Sequence, residues 1–250
     1  MERATLPRRL SWQFGTVVEL VEETPRVKSI ALDLPDWQGH RPGQHVDVRL
    51  TADDGYQTER SYSISSAPGD EQVLLSVERL EDGEVSPYLV DELRPGDTLE
   101  LRGPVGGYFV WEESLGGPLL LVAGGAGVAP FRSVLRHHRA IGSSVPLRLL
   151  YSARALEEVL YREELMELAT RTEVDVFLTL TRSQPAGWRG YRGRIDRELL
   201  VDVSWPASDH PLAYVCGPTA FAETAANALV ALGHDPGRIR IERFGGAGMT

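Results

Sequence analysis

The hydrophobic pattern of this chain changes period near residue 112, and that change restricts the fold more than any other feature. Before it, apolar residues come in short runs: FGTVVELVEET, VKSIALDL, HVDVRL, SYSIS, VLLSVERL and DTLELRG. Gly, Pro and Asp punctuate them in RPGQ, DDG, APGD and RPGD. Runs of this length, rich in Val, Leu and Ile and bounded by turn residues, read as strands, and their regular spacing as a barrel or sandwich. One short helix is expected at VSPYLVDEL.

After the change, strands and helices alternate. PLLLVAG, VPLRLLYSAR, VDVFLTLTR, PLAYVCGP and RIRIERF read as strands. APFRSVLRHHRAIG, EEVLYREELMELATRT and TAFAETAANALVALG read as helices, the first ending at a glycine. This alternation predicts a parallel sheet with helices on both faces. The two patterns meet in VWEESLGGP, residues 110–118, and predict domains over 1–112 and 113–250.

Composition narrows the chemistry. One cysteine leaves no internal disulfide and no four-cysteine metal or iron–sulfur site within these 250 residues, and no metal is expected. A net charge of −10 argues against nucleic acid. No apolar run approaches the roughly 20 residues of a membrane span. The segment MERATLPRRLSWQF lacks the apolar core of a signal peptide, so a cytoplasmic protein is expected. Charge is uneven: 11 basic and 20 acidic residues give −9 over residues 1–110, and 15 and 16 give −1 over 111–250. Arg182, Arg189, Arg192, Arg194 and Arg197 cluster in a chain whose one lysine is Lys28. They read either as a solvated surface or as an anion site.

A phosphate site is expected at VAGGAGVAPFRS, which follows a strand and opens a helix. Gly125 and Gly127 allow the backbone to approach a pyrophosphate, the helix start supplies N–H donors, and Pro130 suits the first helical turn. The next strand ends in YSAR with no carboxylate at its tip, where NAD sites place an acid. Ser152 and Arg154 there, and Thr181 and Arg182 at the end of the third strand, are donor–cation pairs. They favour the 2′-phosphate of NADP(H) over NAD(H), although either arginine also reads as a surface residue or a pyrophosphate contact.

With RSYSISS in the β-rich half, then GEVSPYL, GPVGGYF, GGAGVAPFRS, YSAR, CGPTAF and a terminal IERF, the chain resembles the ferredoxin–NADP+ reductase family over residues 12–244. The resemblance implies a six-stranded antiparallel β-barrel holding a flavin, FAD rather than FMN, followed by a Rossmann-like NAD(P)-binding domain. It implies that Arg60 pairs with flavin phosphate, Tyr62 lies against the isoalloxazine and Ser63 hydrogen-bonds near flavin N5. Gly83, Val85 and Ser86 correspond to the turn that binds the flavin pyrophosphate. Cys216, Gly217 and Pro218 correspond to the nicotinamide site, with Glu242 near the flavin–nicotinamide pair and Phe244 over the flavin. Ser63, Cys216 and Glu242 are the residues expected around the hydride path. Strand alternation sets Arg60, Tyr62 and Ile64 on one side and Ser61, Ser63 and Ser65 on the other, in tension with Ser63 reaching the same ring as Tyr62.

Two features depart from the family pattern. Ala126 replaces the threonine common in its glycine turn, and GGAGMT extends the chain past Phe244. The implied activity moves electrons between NADP(H) and a separate one-electron carrier, ferredoxin or flavodoxin, by hydride transfer to FAD. The alternatives are an NADH-dependent reductase component serving an oxygenase, a reductase of free flavin, quinone or haem protein, and a non-enzymatic FAD-binding electron-transfer subunit. An acidic carrier needs a local basic patch, for which Arg3, Arg8 and Arg9 are candidates.

Overall fold

The computed structural model describes residues 10–170 and 174–245. Arg3, Arg8 and Arg9 lie outside the described residues, as does the terminal extension beyond Gly245.

The first six strands are β1 (Trp12–Thr24), β2 (Val27–Asp33), β3 (His45–Thr51), β4 (Gln57–Ser63), β5 (Val73–Glu78) and β6 (Thr98–Val105). They form one antiparallel sheet in the order β4-β3-β6-β1-β2-β5. Its two edges meet: Ile64 bridges to Leu75, and Ser65 N–H donates to Leu74 O at 2.8 Å. Closure removes the exposed edges an open sheet would leave. Alternate residues fill the interior, among them Val17, Ile30, Leu32, Val46, Val48, Leu75 and Leu101. Outside, the guanidinium groups of Arg49 (4.0 Å) and Arg102 (4.7 Å) both lie over the Trp12 ring and pair with Glu100 and Asp47.

The helix expected at VSPYLVDEL is only a π-helical turn over Tyr88–Glu92. Its Leu89 and Val90 enter the barrel core, and Lys28 Nζ donates to the carbonyl of Val90, so packing rather than helix propensity shapes the segment.

The second sheet is parallel, in the order β10-β9-β8-β7-β11-β12. Its strands are β7 (Leu119–Gly124), β8 (Leu147–Ala153), β9 (Val174–Leu180), β10 (Tyr191–Arg192), β11 (Leu212–Pro218) and β12 (Ile239–Phe244). Central β7 is buried throughout, as a strand covered on both faces must be. Its Leu119, Leu121 and Ala123 pack with α1 (Ala129–Ala140) and α2 (Arg162–Leu168). Its Leu120 and Val122 pack with α3 (Arg197–Val203) and α4 (Thr219–Ala231).

Two helices differ from expectation. The one read over EEVLYREELMELATRT is broken: a 3₁₀ turn at Leu156–Glu158 is followed by Tyr161 in a left-handed conformation, and α2 starts only at Arg162. Helix α3 was not foreseen; the carboxylate of Asp196 caps it by accepting the N–H of Leu199 at 2.8 Å. Among the described residues no helix is long and apolar enough to cross a membrane.

The segment between the sheets is anchored on both sides. Phe109 and Trp111 pack in the second core together with the barrel residue Val27. Trp111 N–H donates to Pro42 O at 3.1 Å. A methyl group on Gly43, which has φ +92°, would be driven into the carbonyl of Phe109, whereas one on Gly55, at φ +87°, meets nothing within 4 Å. Both alanine variants carry the left-handed penalty of about 1–2 kcal/mol, and the clash adds about 1–3 kcal/mol to Gly43→Ala alone. Urea unfolding should place the Gly43→Ala midpoint clearly below that of Gly55→Ala; equal midpoints would show that the linker contact contributes nothing.

Candidate functional site

Strand β7 ends at Gly124 and the chain enters α1 through a single 3₁₀ turn, Gly125–Val128. Gly125 has φ +54° and open space where a side chain would stand. At Gly127 a Cβ would collide with the carbonyl of Cys216, so the turn is pressed onto the end of β11. Pro130 follows in the first turn of α1.

In front of this turn lies a cleft of ≈ 450 Å³ lined from both domains. It gathers Gly125, Ser152, Arg154, Thr181, Arg182, Pro218 and Phe244 of the residues expected from the sequence. Gly127, Pro130, Cys216 and Gly217 do not line it. Register aligns the strand tips, pairing Gly124 with Ser152 and Ser152 with Thr179. Arg182 N–H donates to Arg154 O at 2.8 Å, which sets these two cationic residues side by side along the backbone.

The cleft also holds residues that sequence reading missed as site residues. Arg26 and Glu78, from the barrel, are such residues; Arg194, after the two-residue strand β10, belongs to the arginine cluster that reads either as a solvated surface or as an anion site, and it lines the cleft. Glu158 lines the cleft as well and stands 3.8 Å from Arg154. The YSAR strand therefore does have a carboxylate near its tip, supplied four residues on by the 3₁₀ turn.

On the barrel, RSYSISS divides into three uses. Ser61 faces outward and donates to Asp47 Oδ1 at 2.7 Å. Ser65 and Ser66 are buried and bond β5: Ser65 Oγ donates to Leu74 O (3.2 Å), and Ser66 Oγ accepts Leu74 N–H (3.1 Å). Arg60, Tyr62 and Ser63 remain. Arg60 is exposed, 3.8 Å from Glu84, and its Nη1 donates to Glu59 O at 2.7 Å. Tyr62 packs against the barrel core, and burial pushes its phenol up to about 12. Ser63 is half-buried, opposite His45.

The GEVSPYL turn closes on itself. Ser86 Oγ accepts Leu80 N–H at 3.0 Å, Gly83 N–H donates to Leu80 O at 3.0 Å, and Val85 lies in the barrel core. The Ser86 hydroxyl is thereby oriented by the backbone and keeps its own proton to donate.

At the far end of the second sheet Cys216 and Glu242 are register partners on β11 and β12. Burial pushes the Cys216 thiol well up, with Glu242 adding to the shift, and burial raises the Glu242 carboxyl to about 7. Phe244 ends β12 opposite Pro218. Arg60, Tyr62, Ser63, Gly83, Val85 and Ser86 all lie outside the cleft, on the barrel.

Comparison with known proteins identifies both halves. The oxidoreductase FAD-binding domain family matches residues 16–110, and the oxidoreductase NAD-binding domain family matches residues 121–227. Ferredoxin–NADP reductase B of Sorangium cellulosum is 35% identical over 202 residues, 78% of this chain and 81% of that protein. The glycine betaine monooxygenase reductase subunit of Pseudomonas aeruginosa is 29% identical over 91% of this chain, which spans 63% of that protein's length. The FAD/NAD-binding domain of a nitric oxide dioxygenase from Vibrio cholerae superimposes with a TM-score of 0.83 at 26% identity, covering 94% of this chain and 99% of that one. An antiparallel FAD-binding barrel, a parallel NAD(P)-binding sheet and a relative alike over most of its length lead to one assignment: the chain belongs to the ferredoxin–NADP+ reductase family of FAD-dependent oxidoreductases.

Proposed function

We propose that this protein moves electrons between NADP(H) and a separate one-electron carrier, a ferredoxin or flavodoxin, through bound FAD. The observation that carries the reading is the cleft between the domains, where a glycine turn and the cations Arg154, Arg182 and Arg194 face barrel residues. When bound, FAD supplies hydride acceptance at N5 and release of electrons one at a time.

The residues fit both groups. The open side of Gly125 and the start of α1 suit a pyrophosphate, while Arg182 and Arg194 have no carboxylate within 4 Å among the described residues and suit a 2′-phosphate. On the barrel, Arg60 and the Ser86 hydroxyl suit the flavin phosphates, and Tyr62 and Ser63 present a ring face and a hydroxyl beside them. Phe244 covers one side of the cleft and limits water there. Glu242 keeps its carboxyl proton up to about pH 7 and so is a hydrogen-bond donor as well as an acceptor near neutrality. Cys216, held as a thiol, acts by its shape and polarisability beside Glu242.

A second reading rests on Glu158. A carboxylate in the cleft suits the ribose hydroxyl of NADH and competes for Arg154, which favours an NADH-dependent reductase component whose partner is an oxygenase; the Pseudomonas relative is named as the reductase subunit of a monooxygenase.

Anaerobic stopped-flow reduction with both nucleotides separates the readings. The purified protein should be yellow with FAD and should bleach faster with NADPH than with NADH. Arg154→Ala and Arg182→Ala should each weaken NADPH about tenfold (~1.4 kcal/mol) and leave NADH unchanged. A colourless protein that takes up no FAD refutes the flavin assignment, and equal rates unaltered by both variants refute the 2′-phosphate assignment.

Glu242 adds a pH dependence to stability. Its folded-state carboxyl titrates above its unfolded value of 4.5, so between about 4.5 and about 7 the native state holds a proton that the unfolded chain has released. Stability conferred by the neutral carboxyl is therefore lost as pH rises through that window, by up to about 3 kcal/mol. Urea midpoints of the cofactor-free protein at pH 5 and pH 8 should show Glu242→Gln gaining on the wild type at the higher pH; parallel pH profiles would contradict the burial effect.

A further inference from the structure

We propose that Tyr161 is a positioning residue for the reductase reaction: its hydroxyl, anchored on the barrel, sets how closely the nucleotide-binding domain approaches the flavin-binding strand. The role rests on the reductase reading above. Tyr161 is 6% exposed, yet its backbone is left-handed at φ 54° and ψ 31°. A residue with a Cβ adopts that conformation at a cost and keeps it where the surroundings impose it.

What imposes it lies on the other domain. The Tyr161 hydroxyl donates to Ser76 Oγ on β5. Ser76 donates to Ser65 Oγ at 3.2 Å and stands 3.0 Å from Ser29 Oγ, which donates to Glu23 Oε1 at 2.7 Å. Ser29, Ser65 and Ser76 are buried, and buried hydroxyls destabilise unless they are bonded. Here they bond one another and Tyr161, whose phenol is held up to about 12 by burial and so remains a donor. On the near side the Arg132 guanidinium lies 4.4 Å over the Tyr161 ring, and its Nε donates to Glu164 Oε2 at 2.8 Å. Helices α1 and α2 thereby hold the ring while the barrel holds the hydroxyl.

This seam reaches both proposed sites within one or two residues. Ser65 is two residues past Ser63. Glu78, two past Ser76, and Leu160, next to Tyr161, both line the nucleotide cleft, whereas Tyr161 and Ser76 do not. Leu160 is itself fixed, donating its N–H to the Tyr151 hydroxyl at 3.2 Å. A shift at the seam therefore moves the cleft wall relative to the flavin strand without removing any contact to nucleotide.

Tyr161→Phe, Ser76→Ala and the double variant test the role. Each is loaded with FAD and reduced anaerobically by NADPH over a range of concentrations, and hydrogen exchange is followed on the cofactor-free proteins. Hydride transfer depends steeply on alignment, so each single variant should keep FAD and bind NADPH within about twofold of wild type while its limiting reduction rate falls about tenfold. The double variant should be no slower than the slower single, the mark of one shared interaction. In the cofactor-free proteins exchange should rise together over residues 73–78 and 156–165 in either variant. A wild-type rate in both single variants, lost nucleotide affinity in place of lost rate, multiplying single effects, or exchange rising on one side only overturns the proposal. Loss of FAD from both single variants also overturns it and makes the seam an element of folding alone. If neither nucleotide reduces the wild-type protein, the reductase reading itself fails, an outcome distinct from a wild type that works and variants that match it.

Discussion

Two sheets that share no strand must be held at one separation, and tyrosine hydroxyls supply three of the bonds that hold them. Tyr214 donates to Val110 O at 2.7 Å, Tyr108 to Ile239 O at 3.3 Å and Tyr161 to Ser76. The Tyr161 and Tyr214 rings are buried in the second core, whereas Tyr108 is largely exposed; each presents a single polar atom at its far end. That combination allows a directional bond to leave a core and cross the junction. Arg240 adds to the same junction by donating to both Val110 O, at 2.6 Å, and the Tyr214 hydroxyl, at 3.0 Å. The cleft depends on this arrangement, because its walls come from both domains.

The features legible in the sequence are those set by local pattern. Five of the six barrel strands follow from apolar runs between turn residues, whereas β4, Gln57–Ser63, is mostly polar and overlaps the expected SYSIS only at its end; the glycine turn after β7 follows from a strand, two glycines and a proline in order. Arg154 and Arg182 could be placed because they end strands whose apolar runs are unmistakable. What escaped was set by distant partners. Ser65 reads as one more serine of RSYSISS, yet its neighbours in space are Ser76, eleven residues on, and through it Tyr161. The break at Tyr161 could not be seen, because EEVL before it and REELMEL after it both read as helix, and the partner of its hydroxyl, Ser76, lies on the barrel. Arg26 was invisible as a cleft residue, since a cation in a β-turn of one domain carries no mark of facing the other. Helix α3 was missed despite a local signal: Asp196 followed by Arg-Glu-Leu-Leu is an ordinary capped start.

Burial sets the chemistry at the end of β11 and β12. Cys216 and Glu242 are neighbours there, and both are shifted toward their neutral forms by the same cause, loss of water. Neither is pulled the other way by a nearby cation. A site of this kind adds little fixed charge beside a redox group and keeps a proton at hand near neutral pH, which is consistent with the proposed function.

The proposed phosphate contacts differ in one instructive respect. Arg60 and Arg154 each stand 3.8 Å from a carboxylate, Glu84 and Glu158, and all four side chains are substantially exposed. Ion pairs this open and this long contribute about 0–1 kcal/mol. They hold each guanidinium near its working position and yield readily to a phosphate, which can accept two parallel N–H bonds from the same group. Arg182 and Arg194 have no such partner among the described residues, and the cleft also holds Arg26 and the carboxylate of Glu78. The acidic residues of the two phosphate regions therefore need not oppose anion binding. On the proposed reading they hold two of the cations in place until an anion displaces them, while Arg182 and Arg194 add their own attraction.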